Sequence, residues 1–197
     1  MTLGGELQAL GMREMRERIR AVVARMAEGN PLVIMQHGDP AAVLIRFEEA
    51  ERWGRIERGL AALHALEVYP ELVPGSAQLG AAVRGELKPA RSAIRHLDEE
   101  PREILGSLQT VQITDLRENL ASKLAEVAGG RSLTVVSSGR FAATLISPGE
   151  FDRLRRLHRV VSWFAAGGLD LSTADEAAIA AFVRDYRGGA RSEAAVG

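Results

Sequence analysis

Six side chains in this 197-residue chain have the chemistry to grip a polyanion. Arg117 and Asn119 open one amphipathic stretch, Arg131 and Arg140 flank a pair of β-rich runs behind it, and Arg13 and Arg16 sit in a similar stretch near the start. A guanidinium group meets phosphate oxygens through two parallel hydrogen bonds, and an asparagine amide can pair with the edge of an adenine. The competing reading is an ordinary solvated surface: Arg117 paired to nearby acids, and Arg13, Arg16 and Arg20 paired to the interleaved Glu14 and Glu17. Catalytic constellations are missing from the pattern. His37, His64, His96 and His158 fall one to a segment, there is no phosphate-cradling G-x-x-x-x-G-K-[ST] and no G-x-S-x-G elbow, and Ser137 and Ser138 look like turn residues. No catalytic residue, metal or cofactor is expected, and a chain without cysteine has neither disulfides nor thiolate metal sites.

The net charge of −1 comes from 25 basic and 26 acidic residues, so the molecule as a whole exerts no pull on a polyanion. The distribution is uneven. Residues 1–60 hold nine basic against nine acidic side chains, 61–106 five against seven, 107–164 eight against five, and 165–197 three against five. The basic surplus lies in the second copy of the repeat. A hydrophobic fraction of 46% with 26% charged residues suits a globular chain. No run approaches the roughly 18 apolar residues of a spanning helix, and the start lacks an apolar core ahead of a cleavage site. The expected location is the cytoplasm, with no membrane partner.

The elements that position these residues occur twice. A shift of 101 residues lays Leu7–Glu57 on Leu108–His158 without a gap, with identities that include Leu7/Leu108, Arg16/Arg117, Glu17/Glu118, Gly38/Gly139, Leu44/Leu145 and Glu49/Glu150. Two copies in one register across turns and strands are expected to share one fold. In the second copy, Thr110–Ile113 is a short strand-like run and TDLREN opens a helix that Thr114 or Asp115 can cap. Leu116, Leu120, Leu124 and Val127 then recur at helical spacing up to Gly129-Gly130. SLTVVS and FAATLIS form a hairpin about Ser138-Gly139-Arg140, and Ser147-Pro148-Gly149-Glu150 is a capping box that starts a further helix. The first copy matches, with Met15, Ile19, Val22, Val23 and Met26 on its helix, a stop at Gly29, and PLVIMQ and PAAVLIR about His37-Gly38-Asp39. A β-α-β-β-α unit of roughly 50 residues is marginal alone and needs a partner, which its duplicate can supply.

The expected fold class is α+β: two such units, 1–67 and 107–166, joined by a helical insert at 68–106 and followed by a C-terminal helix and disordered tail at 167–197. In the insert, Pro70, Pro74, Pro89 and Pro101 bracket short helices, with Leu79, Val83 and Leu87 on one face and Ile94 and Leu97 on another. Beyond Gly167-Gly168, Ser172 or Thr173 caps a helix with an apolar stripe of Ile179, Phe182, Val183 and Tyr186, and RGGARSEAAVG forms the tail. The stripe either lies in a partner's groove or covers the protein's own core. Trp53 and Trp163 read as packing residues. RLRRLHR, with Arg153, Arg155, Arg156 and Arg159, reads as a solvated face.

VQITDLRENLASKLAEVAGGRSLTVVSSGRFAATLISPGEFDRL resembles the N-terminal domain of the Phd/YefM antitoxins: a strand, a helix opening with Arg117, Asn119 and Leu120, a glycine stop, a hairpin with glycine at its turn, and an acidic start to the next helix. The first copy is similar, with Arg18 where the second has Asn119. The resemblance implies a domain that dimerises by joining sheets, represses its own operon by binding double-stranded operator DNA, and neutralises a partner toxin through a C-terminal segment. Applied here, it implies an antitoxin-like transcription regulator of a toxin-antitoxin system, its two domains packed as an intrachain pseudo-dimer or paired in a homodimer. Arg117, Asn119, Arg131 and Arg140 would supply most DNA contacts, Arg13 and Arg16 fewer, and Ile179, Phe182, Val183 and Tyr186 would meet the toxin. Unlike copies would face unequal operator half-sites. The alternative is a protein-interaction module that kept the fold without DNA binding.

Overall fold

The computed structural model describes residues 7–26, 30–68, 72–73, 76–83 and 109–194. Gly29, Pro70, Pro74, Leu87, Pro89, Ile94, His96, Leu97 and Pro101 lie outside the described residues. The protein is a mixed α and β structure. Its strands are β1 (Gln8–Gly11), β2 (Leu32–Gln36), β3 (Asp39–Arg46), β4 (Gln109–Gln112), β5 (Leu133–Ser137) and β6 (Arg140–Ile146). Its helices among the described residues are α1 (Met12–Arg25), α2 (Phe47–Val68), α3 (Ala77–Val83), α4 (Ile113–Glu118), α5 (Leu120–Ala128), α6 (Pro148–Ala166) and α7 (Glu176–Ala194).

Turn chemistry fixes the two hairpins. His37 and Ser138 adopt positive φ (53° and 52°), followed by Gly38 and Gly139 (93° and 74°). Two successive residues in that region give the two-residue turn whose twist matches a hairpin, and glycine in the second position has no Cβ to strain. Both hairpins carry a bulge at the same repeat position, between Ile34 and Met35 and between Val135 and Val136. β1 and β4 pair in parallel with β2 and β5, and β3 pairs antiparallel with β6, closing a six-stranded sheet in the order β1-β2-β3-β6-β5-β4.

The register at the β3–β6 seam defines an internal two-fold. Val43 faces Ile146, Leu44 faces Leu145 and Ile45 faces Thr144. Leu44 and Leu145 are repeat equivalents, so a pseudo-dyad passes through their pair, and the repeat shift carries each flanking pair onto the other. The strand edge that would leave a lone copy open to aggregation is covered by the duplicate.

One face of the sheet carries a helical layer. Met15, Ile19, Val22 and Val23 of α1 share a core with Leu116 of α4, Leu120, Leu124 and Val127 of α5, and Leu32, Leu44, Leu133 and Leu145 of the sheet. The helices interlock across the dyad: α1 packs on α4, α5 lies on β3, and α1 reaches β6. Each such buried aliphatic side chain contributes about 1.5–3 kcal/mol, and residues of both copies line the same core.

Several local expectations are corrected. Ile113 belongs to the helix, which starts behind Gln112 without a side-chain cap, so Thr114 and Asp115 lie within its first turn. The helix also breaks at Asn119 (φ −109°, ψ 26°), and α1 has the same irregularity at the equivalent Arg18 (φ −120°, ψ 19°). Because an asparagine and an arginine share the kink, packing of the layer imposes it rather than either side chain. Gly130 (φ 92°) ends α5 as expected, with its amide and that of Arg131 donating to the carbonyls of Val127 and Glu126. The Ser147 hydroxyl accepts from the Glu150 amide at 3.1 Å, half of the capping box.

The chain clusters into two compact units, Met1–Arg52 with Ile104–Arg159, and Trp53–Glu103 with Val160–Gly197. The first holds the sheet and its helical layer. In the second, Trp53, Ile56, Leu60, Leu63, Leu79, Leu171 and Ile179 are buried. The Arg55 Nε donates to the Ser172 carbonyl at 3.0 Å, and a Cβ on Gly59 would stand 3.1 Å from the Leu171 side chain. α7 is capped by Asp175, whose carboxylate accepts from the Ala178 amide at 2.8 Å. Ser172, expected as that cap, is occupied in a turn where its amide and hydroxyl both donate to Asp170. Trp163 is exposed, not packed inside, and sets its ring edge-on to Phe164. α7 continues to Ala194 where a disordered tail was expected; Ala190, Arg191, Glu193 and Ala194 are favourable helix formers, although Gly188 and Gly189 each cost roughly 1 kcal/mol relative to alanine.

Candidate nucleic-acid interface

Arg16 and Arg117 are the identical cations that the pseudo-dyad relates, one on α1 and the other on α4, and both are solvent-exposed. Their settings differ. In the second copy a network ties most of the charge to itself: Asn119 donates to Asp115 at 2.6 Å, and Lys123 bonds Glu126 at 3.0 Å with Asp115 at 3.9 Å. Arg131 reaches Glu126 at 3.7 Å, and Arg117 stands 4.0 Å from Glu118. The hydrogen bond to Glu126, with the charges of Glu126 and Asp115, raises the Lys123 pKa above its usual value against desolvation and the Arg131 charge. Asn119 is therefore held by its own helix in the free protein.

α1 is more basic than its counterpart. It carries Arg13, Arg16, Arg18, Arg20 and Arg25 against Glu14 and Glu17, whereas the equivalent stretch Ile113–Glu126 carries Arg117 and Lys123 against Asp115, Glu118 and Glu126. Arg13 pairs with Glu17 at 2.9 Å, Arg18 approaches Glu14 at 3.5 Å, and Arg25 donates to Gln8 at 2.9 Å. Exposed pairs of this kind are worth about 0–1 kcal/mol and yield readily to a phosphate. Arg16 and Arg20 have no ion-pair partner among the described residues.

Four of the eight basic residues counted along residues 107–164 lie on α6 and not in the helical layer. Arg153 there is buried, with its Nε 3.0 and 3.1 Å from the two Glu150 oxygens, so RLRRLHR is not the uniformly solvated face expected. Arg140 stands exposed at the start of β6, opposite Ser137 and next to Phe141, whose ring lies 4.7 Å from that of Phe47. Among the described residues, no hydrogen bond, ion pair or shared cleft groups Arg131 or Arg140 with Arg117. Arg117 instead meets α1: together with Glu17, Arg18, Arg20, Ile113 and Thr114 it lines an open cleft of about 390 Å³ between α1 and α4. Arg18 and Arg20 are the site residues that motif reasoning missed. Their signal was in the repeat, where the second copy has Asn119 and Ala121 in their places.

The apolar stripe of α7 is largely engaged within its own unit. Ile179 is buried, Phe182 packs edge-on against Phe164 with ring centroids 5.9 Å apart, and Val183 is half-buried. Tyr186, 62% exposed, is the member of the stripe that faces solvent. Among the described residues no group of three His, Asp or Glu is placed to hold a metal ion, and no helix is long and apolar enough to cross a membrane. Compared with protein families, with curated proteins and with solved structures, the chain finds no match in any of the three.

Proposed function

We propose that the protein is a DNA-binding transcription regulator of the Phd/YefM antitoxin type, in which two domains of that kind in one chain do the work of a dimer. The observation that carries this reading is the pseudo-dyad through Leu44 and Leu145, because it relates exposed Arg16 to exposed Arg117 on adjacent helices. A two-fold pair of helices that each present an exposed arginine is an arrangement suited to duplex operators with two half-sites. Arg140 and Arg131 add phosphate contacts at the hairpin and behind α5, and Arg13 adds a weaker one while it stays paired with Glu17. Titration of the duplex upstream of the gene, followed by fluorescence anisotropy, tests the proposal. Arg16→Ala with Arg117→Ala should weaken binding roughly tenfold or more. Equal affinity in the double variant, or no binding by the parent chain, contradicts it.

A second reading, a protein-interaction module without DNA binding, draws on the exposure of Trp163 (59%) and Tyr186 (62%). The same two rings are the surface available to a toxin, since Ile179 and Phe182 are occupied within their unit. Trp163→Ala with Tyr186→Ala leaves duplex affinity intact under the first reading and abolishes co-purification of a partner under the second.

A further inference from the structure

We infer that the α1/α4 cleft is a one-sided phosphate site, held by Arg18, Arg20 and Arg117, which takes a backbone phosphate of bound DNA on the first copy's side of the dyad. This rests on the DNA-binding reading and adds to it residues and a polarity that the repeat identities do not contain.

Arg18, Arg20 and Arg117 line one cleft of about 390 Å³, with Thr114 beside them. Glu17, the carboxylate on its wall, is engaged by Arg13 at 2.9 Å, which offsets its charge toward an incoming anion. Arg18 and Arg117 hold their acidic neighbours only at 3.5 and 4.0 Å, and both side chains are more than half exposed, so turning to a phosphate costs little. Arg20 has no ion-pair partner among the described residues. Several guanidinium groups converging on one tetrahedral anion give charge-assisted, two-pronged hydrogen bonds that a single surface arginine does not.

The dyad-related position is built differently. Arg117 has its equivalent in Arg16 and Thr114 has its equivalent in Arg13, but Arg18 and Arg20 are replaced by Asn119 and Ala121, and Asn119 is already bonded to Asp115 at 2.6 Å. The two halves of the layer therefore share one arginine position, and the cleft holds three cations against two, Arg13 and Arg16, at the related position, where Arg13 is already bonded to Glu17 at 2.9 Å.

The test uses the full chain and measures affinity for the upstream duplex across a sodium chloride series. Arg18→Ala with Arg20→Ala should lower the slope of log affinity against log salt by about 1, the signature of one lost phosphate contact. Arg25→Ala, an exposed arginine of the same helix that is bonded to Gln8, should leave the slope unchanged. Asn119→Arg with Ala121→Arg, which installs the cations on the second side, should raise the slope by about 1. An unchanged slope in the Arg18/Arg20 variant, or an equal loss in Arg25→Ala, overturns the inference. Inorganic phosphate supplies the second arm, through shifts of the arginine Nε–Hε resonances. If the parent chain binds no duplex, the functional reading falls. Saturable phosphate binding that Arg18→Ala with Arg20→Ala removes then assigns the cleft to free phosphate, and absence of that binding overturns the inference as well.

Discussion

α1 and the α4–α5 pair occupy equivalent places in the repeat, share a kink at the same position, and bury equivalent aliphatic residues, yet their solvent sides have little in common. On α1 five arginines outnumber two glutamates. On α4 and α5 the acids are in the majority, and Asp115, Asn119, Lys123, Glu126 and Arg131 bond to one another. The difference shows which constraints the duplication preserved. The seam and the core admit only one register, because a slip by a single residue turns every apolar side chain to the wrong face. The solvated faces have no such constraint, and their charged side chains differ between the copies except at Arg16/Arg117 and the neighbouring Glu17/Glu118.

If the two copies are structural equals, substitutions on the dyad should cost alike. Leu44→Ala and Leu145→Ala each remove a fully buried side chain at the seam and should each destabilise the protein by about 2–5 kcal/mol in urea denaturation. A large loss in one with little in the other would break the equivalence. A smaller effect of opposite sign separates the copies one residue away. Thr144 is buried against Ile45, with no hydrogen-bond partner for its hydroxyl among the described residues, whereas its repeat equivalent is Val43. Thr144→Val, which makes the second copy like the first, should stabilise by about 1 kcal/mol, since an unsatisfied buried hydroxyl costs about that much. Destabilisation by that variant would mean that Thr144 has a role the seam geometry does not account for.

Local signals made most of the sheet legible in the sequence. Gly38 and Gly139 mark turns that need positive φ, Ser147 and Pro148 mark a helix start, and the spacing of Leu116, Leu120, Leu124 and Val127 marks a buried helical face. Each is a property of a few neighbouring residues. Features set by tertiary packing were not legible: the kink at Arg18 and Asn119, the burial of Arg153 against Glu150, the exposure of Trp163, and the choice of Asp175 over Ser172 as a cap. Charge was misjudged for a related reason. Counting along the chain did not separate the arginines of α6 from those of the helical layer, and only the packing of α1 on α4 put Arg18 and Arg20 beside Arg117.

The central claim is that one chain supplies both halves of a two-fold DNA-binding domain. Native mass spectrometry of the free chain and of its complex with the upstream duplex tests it most directly. The account predicts a monomer in isolation and one chain per duplex at saturation. A complex that forms only with two chains per duplex, from a free protein that is itself dimeric, would contradict it.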